Sequence, residues 1–399
     1  MTQKKKTVAA VYLSGFLQGV ALIIFPAAGP LFTHPSFHAL TSSQFGLLFT
    51  PQIITAIAAS AFAARCATYY GMKRVLWLGL TANLLAMVLL AASHWLIGLG
   101  SLAFLLLLMA TGAAGAGFGF TISSLNAYAF DLFQDRADAA ITGLHVLTGL
   151  GQVCSSLILG LFLSLGFWWG APLAIGVALV LMMAFQLGLP MELSMESKAP
   201  AEGVRKRPLP GRIWLYAALV FLYGVCEATF GNWSPLYLEQ DAGLSMSEAA
   251  LALSVFWGMV TAGRALFVLM AIWFRPQALH VVSPFVVAAA FLVLPSLSGF
   301  LPSMLGLALA GLALSFFFPL SVSLAAAEEP GLATAVSGTL VAALMLGIGF
   351  SANLVGFVRE AMGLSLIFRL SSLYALAMAA IVVYLTRTKK SIRTAQEAV

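Results

Sequence analysis

Residues 190–212 read PMELSMESKAPAEGVRKRPLPGR, the longest hydrophilic stretch in the chain and the point at which its organisation divides. Almost everything around it is apolar. Of 399 residues 61% are hydrophobic and 9% charged, with a mean hydropathy of +1.00. A soluble globular chain carries about 25% charged residues. This chain cannot present an ordinary water-facing surface, so it is expected to be an integral membrane protein. Its 36 glycines agree, because helices packing in lipid use small residues to approach one another closely.

About 20 apolar residues cross a bilayer as a helix. Stretches of that kind fall at 8–32, 42–64, 75–93, 99–126, 139–165 and 168–189 before the hydrophilic segment. After it they fall at 213–238, 247–273, 279–298, 301–325, 333–357 and 364–386. A membrane barrel would need short alternating strands instead, and the pattern is absent. The opening residues MTQKKKTVAAVYLSGFLQGVALIIFPAAGPLF place a basic patch before an apolar run too long for a typical signal peptide, so we read the first span there. The expected fold is therefore an all-α membrane bundle of twelve spans in two six-helix halves. The halves are 1–189 and 213–399, joined by a linker at 190–212, with a short tail at the end.

Lysine and arginine set the orientation. With the N-terminus inside, Lys4, Lys5, Lys6, Arg65, Lys73, Arg74 and Arg136 face the cytoplasm, as do the basic residues of the linker, Arg275 and the basic tail. Only Arg359 and Arg369 fall outside, and Arg264 lies within a span. Both termini are thus expected in the cytoplasm. The same asymmetry accounts for the net charge of +6 without a nucleic-acid partner. Six plus six spans suggest parallel repeats with a substrate site between them near the bilayer midplane.

The loop after the second span, AARCATYYGMKRVL, resembles the signature of the major facilitator superfamily of transporters, through Gly71, Lys73 and Arg74. Ala64, Thr68 and Tyr69 depart from it, replacing a glycine, an acid and a basic residue. The resemblance, carried across the chain more by topology than by motif, implies that fold and a transport function. It also implies an inside-facing charge lock that must be weakened or built differently here. YGVCEATFGNWSPLY and SVFWGMVTAGRAL, with His145 in GLHVLTGLG, are similar to the fucose/glucose–proton symporter branch. The matching residues are Tyr223, Gly224, Glu227, Trp233, Trp257, Gly258, Gly263 and Arg264. The first span carries no acid, only Gln18, where that branch is expected to have a carboxylate.

Ionisable side chains inside a bilayer cost about 2.5–3.5 kcal/mol at the helix centre on insertion scales. Glu227 is the one acid near mid-depth, roughly 21 Å from the cytoplasmic end of its span. It is the expected proton-coupling site; the alternative is a structural carboxylate bonded to neighbouring helices. His145 is a second candidate for proton relay, or else a hydrogen-bonded packing residue. Arg264, roughly 14 Å in, can bind an anionic group, pair with Glu227, or reach back to the interface in a structural or gating role.

Gln18, Gln52, Gln152, Asn232 and Asn353, with Trp233 and Trp257, complete an expected substrate cavity, since amides and indoles suit hydroxyls or zwitterions. Each alone can equally be a helix–helix contact. Gly71, Lys73 and Arg74, with Asp131 and Arg136 of the loop DLFQDRAD, are expected gating elements. The spaced acids of that loop offer no full set of metal ligands, and the isolated Cys66, Cys154 and Cys226 suggest neither a disulfide nor zinc. No cofactor is expected. Glycine-rich fourth and eleventh spans, and Pro319 in the tenth, allow bending.

Enzyme motifs such as HExxH or GxSxG are absent. The expectation is a secondary active transporter for a small polar organic solute such as a sugar, working by alternating access and proton symport, with uniport or another coupling ion left open because the first and fourth spans carry no second acid. It should act as a monomer in a bilayer, with a bacterial inner membrane the expected location. A drug or metabolite efflux antiporter and a non-transporting membrane sensor on the same scaffold are the alternatives.

Overall fold

The computed structural model of the protein describes residues 3–193, 208–329 and 332–397. Residues 194–207, most of the predicted linker, lie outside the described residues. The first group of apolar helices is α1 (Gln3–Thr33), α2 (Ser42–Tyr70), α3 (Met72–Leu96), α4 (Gly100–Leu132), α5 (Ala140–Ser164) and α6 (Gly170–Gln186). The second group is α7 (Gly211–Gln240), α8 (Met246–Phe267), α9 (Pro276–Ser296), α10 (Phe300–Glu328), α11 (Ala335–Val358) and α12 (Leu364–Thr388). Eleven of these, among the described residues, are long and apolar enough to cross a membrane. The exception is α6, at the predicted sixth span. Its 17 residues extend about 26 Å, a little short of the ~30 Å hydrocarbon core.

Helix pairing recurs between the groups. α1 packs on α5, α2 on α4 and α3 on α6; correspondingly α7 packs on α11, α8 on α10 and α9 on α12. The groups meet where α5 lies against α8 and α2 against α11. Start signals recur as well. Thr41 and Gln44 form a capping box at the head of α2, and Ser245 and Glu248 form another at the head of α8. Gly71, between α2 and α3, has φ +81°, a conformation that side chains disfavour.

Because successive helices alternate in direction, the bundle has two faces. The terminal face carries the start of α1 and the end of α12; the opposite face carries residues 34–41, 97–99 and 359–363. Exposed aromatics occur at both ends, Tyr69, Tyr70, Trp214 and Trp273 at the terminal face and Trp95 at the other, as expected where amphipathic rings sit at headgroup level.

At the terminal face Arg212 ties three helices together. Its Nε donates to Glu328 Oε2 at 2.6 Å, and its two other nitrogens donate to Thr388 Oγ1 and Leu385 O, both at 2.6 Å. Arg212→Ala should remove about 1–3 kcal/mol of charge-assisted bonding and lower the thermal midpoint in detergent. Arg212→Lys should restore little, because an ammonium lacks the planar fork.

Candidate functional site

A cavity of about 100 Å³ lies between the two groups, lined from α1, α2, α4, α7, α8 and α11. Most of its wall is apolar: Leu22 and Pro26, Phe49 and Ile53, Phe118, Met345 and Ile348. Four polar side chains interrupt it, Gln52, Glu227, Asn232 and Trp257.

Glu227 is held from its own helix. Tyr223, one turn earlier, donates its hydroxyl to Glu227 Oε1 at 2.9 Å, the spacing that puts two side chains on one helical face. The Tyr223 ring is itself fixed by stacking on Phe317 of α10, centroids 5.8 Å apart. α7 is anchored to α11 by a hydroxyl pair, Thr229 Oγ1 with Ser351 Oγ at 2.9 Å. Trp257 fits against α7 because Gly231 leaves room; an added Cβ there would lie 2.9 Å from the indole.

Gln52 Oε1, Asn232 Nδ2 and Trp257 Nε1 are buried and have no partner among the described residues. Buried polar atoms are normally bonded, and leaving them bare is costly. Three such atoms around one cavity, beside a carboxylate, form a set of hydrogen-bonding positions that nothing among the described residues uses.

The other predicted site residues lie elsewhere, for identifiable reasons. Gln18 is fully buried and its Oε1 accepts from Asn83 Nδ2 of α3 at 2.6 Å, so it joins helices inside the first group. Gln152 sits at the crossing of α5 with α1, where its backbone nitrogen lies 3.0 Å from the place of a Gly19 Cβ. Trp233 is fully buried and packs edge-on against Phe45 at 5.0 Å. Asn353 donates to Thr50 Oγ1 at 2.9 Å, joining α11 to α2.

Arg264 is placed by a residue 55 positions away. α10 breaks between Leu314 and Phe317, and Pro319 has no N–H for the carbonyl of Ser315 one turn earlier. Arg264 Nε donates to that carbonyl at 3.3 Å. The guanidinium remains near enough for its charge to act on Glu227, Tyr223 and His145. Among the described residues no ion pair joins Arg264 to Glu227. His145 is half-buried on α5, outside the cavity wall.

Of the expected gating residues, Gly71 shapes the α2–α3 turn. Lys73 Nζ donates to Leu187 O and Leu189 O at 3.2 and 2.8 Å, and Arg74 is exposed beside it. Asp131 lies in the last turn of α4, and Arg136 is exposed in the turn after it.

Bonds between the groups cluster at the opposite face. Ser43 Oγ donates to Glu360 Oε1 at 2.6 Å, Gln240 Nε2 to Thr33 Oγ1 at 3.3 Å, and Asn353 bonds Thr50 slightly deeper. Gly46 and Gly356 let α2 and α11 touch backbone to backbone; a Gly356 Cβ would lie 2.6 Å from Ser42 O. Apart from Asn353, these residues carry no signal in the sequence, being small or polar groups at span ends.

Two similarly paired helix groups closing on a central cavity define a multi-pass membrane protein of carrier architecture. The profile of the Major Facilitator Superfamily matches residues 11–352, and the chain belongs to that family of membrane transporters. It is 30% identical over 127 residues to the sodium-dependent glucose transporter 1A of Mus musculus, a match spanning 30% of either protein. A D-xylose–proton symporter crystal structure superposes with a TM-score of 0.79 at 14% identity, covering 94% of this chain and 96% of that one. The nucleoside transporter NupG superposes at 0.76 and 14% identity, covering 96% of this chain and 100% of its own.

Proposed function

We propose that the protein is a secondary active transporter that carries a small polar organic solute, sugar-like in its hydroxyls, by alternating access with proton symport at Glu227. The observation that supports it most is the set of unpaired polar atoms of Gln52, Asn232 and Trp257 around the same cavity as Glu227. Asn232 and Trp257 donate, Gln52 accepts, and a carboxyl group accepts when charged and donates when protonated. A solute hydroxyl both donates and accepts, so a polyol can meet all four. The partial identity to a protein named as a glucose transporter points the same way. That name also makes sodium the alternative coupling ion.

The rocking units in this reading are 1–189 and 213–399, with twelve spans and α6 as the short sixth. The terminal face is cytoplasmic, because the great majority of the lysines and arginines fall there. The arrangement is then the inward-facing one, with the opposite face sealed by Ser43, Thr50, Asn353 and Glu360. Lys73, Arg74, Asp131 and Arg136 act at the cytoplasmic gate, Arg264 tunes the coupling carboxylate, and His145, outside the cavity wall, relays protons at a distance from it. A monomer in a bacterial inner membrane is sufficient for this cycle. A second reading, efflux by antiport of a more apolar compound, is favoured by the apolar share of the cavity wall.

The test is uptake of radiolabelled sugars, organic acids, amino acids and cationic drugs into proteoliposomes under imposed proton and sodium gradients. Gradient-driven sugar uptake supports the proposal; extrusion of apolar cations alone supports the second reading, and no flux of any solute would favour a sensor. For the solute found, Trp257→Phe keeps the ring and loses one donor, so KM should rise about tenfold, the loss of one hydrogen bond of ~1.4 kcal/mol. An unchanged KM would remove Trp257 from the contact set.

A further inference from the structure

On an exposed side of the first group, two pockets follow one another along α3 and α6 and outline a furrow. At its terminal-face end lies a pocket of about 650 Å³ bordered by Tyr70, Lys73, Arg74, Trp77, Leu78 and Leu187. Farther along lies an apolar pocket of about 290 Å³ whose wall includes Leu84, Val88, Val177 and Leu181. Along α3 the bordering residues step by three or four positions, from 74 through 77, 81 and 84 to 88, and so share one face. From Arg74 to Val88 is about 21 Å along the helix axis, enough for the ~15 Å depth of one leaflet's hydrocarbon, half of a ~30 Å core.

The polar end is electropositive and short of partners. Lys73 is pinned by the carbonyls of Leu187 and Leu189 beyond the end of α6, so its charge stays at the mouth of the furrow. Arg74 is exposed, with neither a hydrogen bond nor an ion pair among the described residues. Trp77 Nε1 is a buried donor with no partner there. Glu192 borders an adjoining pocket and is not ion-paired with either cation. The apolar end presents Val177, 60% exposed, and Leu181, 65% exposed.

We infer that this furrow binds one acidic phospholipid of the terminal-face leaflet, its phosphate at Arg74 and Lys73 and one acyl chain lying between α3 and α6. Two cations above an apolar channel of leaflet depth match a molecule that is anionic at one end and hydrocarbon at the other. The site is separate from the central cavity and does not depend on which solute the protein carries.

The test is native mass spectrometry of the purified full chain in detergent, titrated with phosphatidylglycerol or with phosphatidylcholine of the same acyl chains. Phosphatidylglycerol should bind at least tenfold tighter. Arg74→Gln should abolish the preference, and Arg74→Lys should keep most of it. Val177→Trp, which fills the channel from a lipid-exposed position, should weaken both lipids severalfold. Glycerol 3-phosphate and inorganic phosphate, which lack acyl chains, should not compete. Equal binding of the two lipids by the unaltered protein would overturn the inference, as would a preference that survives Arg74→Gln. Competition by glycerol phosphate as strong as by the lipid would make the site a simple anion pocket and overturn it too.

Discussion

Glu227→Gln is expected to abolish gradient-driven accumulation of the transported solute while leaving exchange of solute across the membrane intact. Among the residues that line the cavity, Glu227 alone carries an ionisable side chain. Its amide analogue keeps the size and an acceptor for the Tyr223 hydroxyl, bonded at 2.9 Å in the native protein. It also resembles the protonated state, in which a symporter carries solute. What the amide cannot do is release a proton, so the solute movement is disconnected from the gradient. With one proton per solute, a gradient of one pH unit is worth ~1.4 kcal/mol and supports about tenfold accumulation; the variant should equilibrate to a ratio of one. Counterflow, which needs only reorientation of the loaded carrier, should persist. A variant that still accumulates solute under a proton gradient would refute coupling at this residue. Accumulation that responds to sodium alone, in both proteins, would assign another ion and leave Glu227 to structure.

The fold was legible because span length is a property of the bilayer and not of the packing. Any stretch of about 20 apolar residues registers whatever it touches, and eleven of the predicted spans are long, apolar helices. α6 shows the limit of that reasoning, since an apolar run at 168–189 does not say how many of its residues are helical. The site was only partly legible. A polar residue within a span is known to avoid lipid, but not whether it meets a cavity or another helix. Gln52 and Asn232 border the cavity, whereas Gln18 is bonded to Asn83 and Asn353 to Thr50; those pairings join residues 65 and 303 positions apart. Arg264 shows the same difficulty. Its bond to Ser315 exists because Pro319 strips that carbonyl of its helical partner, a relation visible only once α8 and α10 are side by side.

Gly46→Leu is expected to hold the opposite face open and to reduce transport more than tenfold. The capping box of Thr41 and Gln44 fixes the start of α2 and so aims Gly46 at α11. There an added Cβ would overlap the carbonyl of Ala352 and lie 3.4 Å from Gly356 Cα. These neighbours are backbone atoms, so the conflict is not relieved by a rotamer change; the helices must separate. Overpacking of this kind costs about 1–3 kcal/mol or more, and it acts only in the state where α2 and α11 touch. A penalty confined to one state shifts a two-state equilibrium by about 5- to 150-fold. Spin labels at the exposed Ser36 and Ala361, in a cysteine-free background, should therefore move to longer separations in the variant, while uptake falls. Gly46→Ala should show the same shift to a smaller degree, because its Cβ alone already meets the Ala352 carbonyl. Separations and uptake both unchanged in Gly46→Leu would mean that the α2–α11 crossing is not a closure of the carrier, and the sealing role assigned to Ser43, Thr50, Asn353 and Glu360 would fall with it.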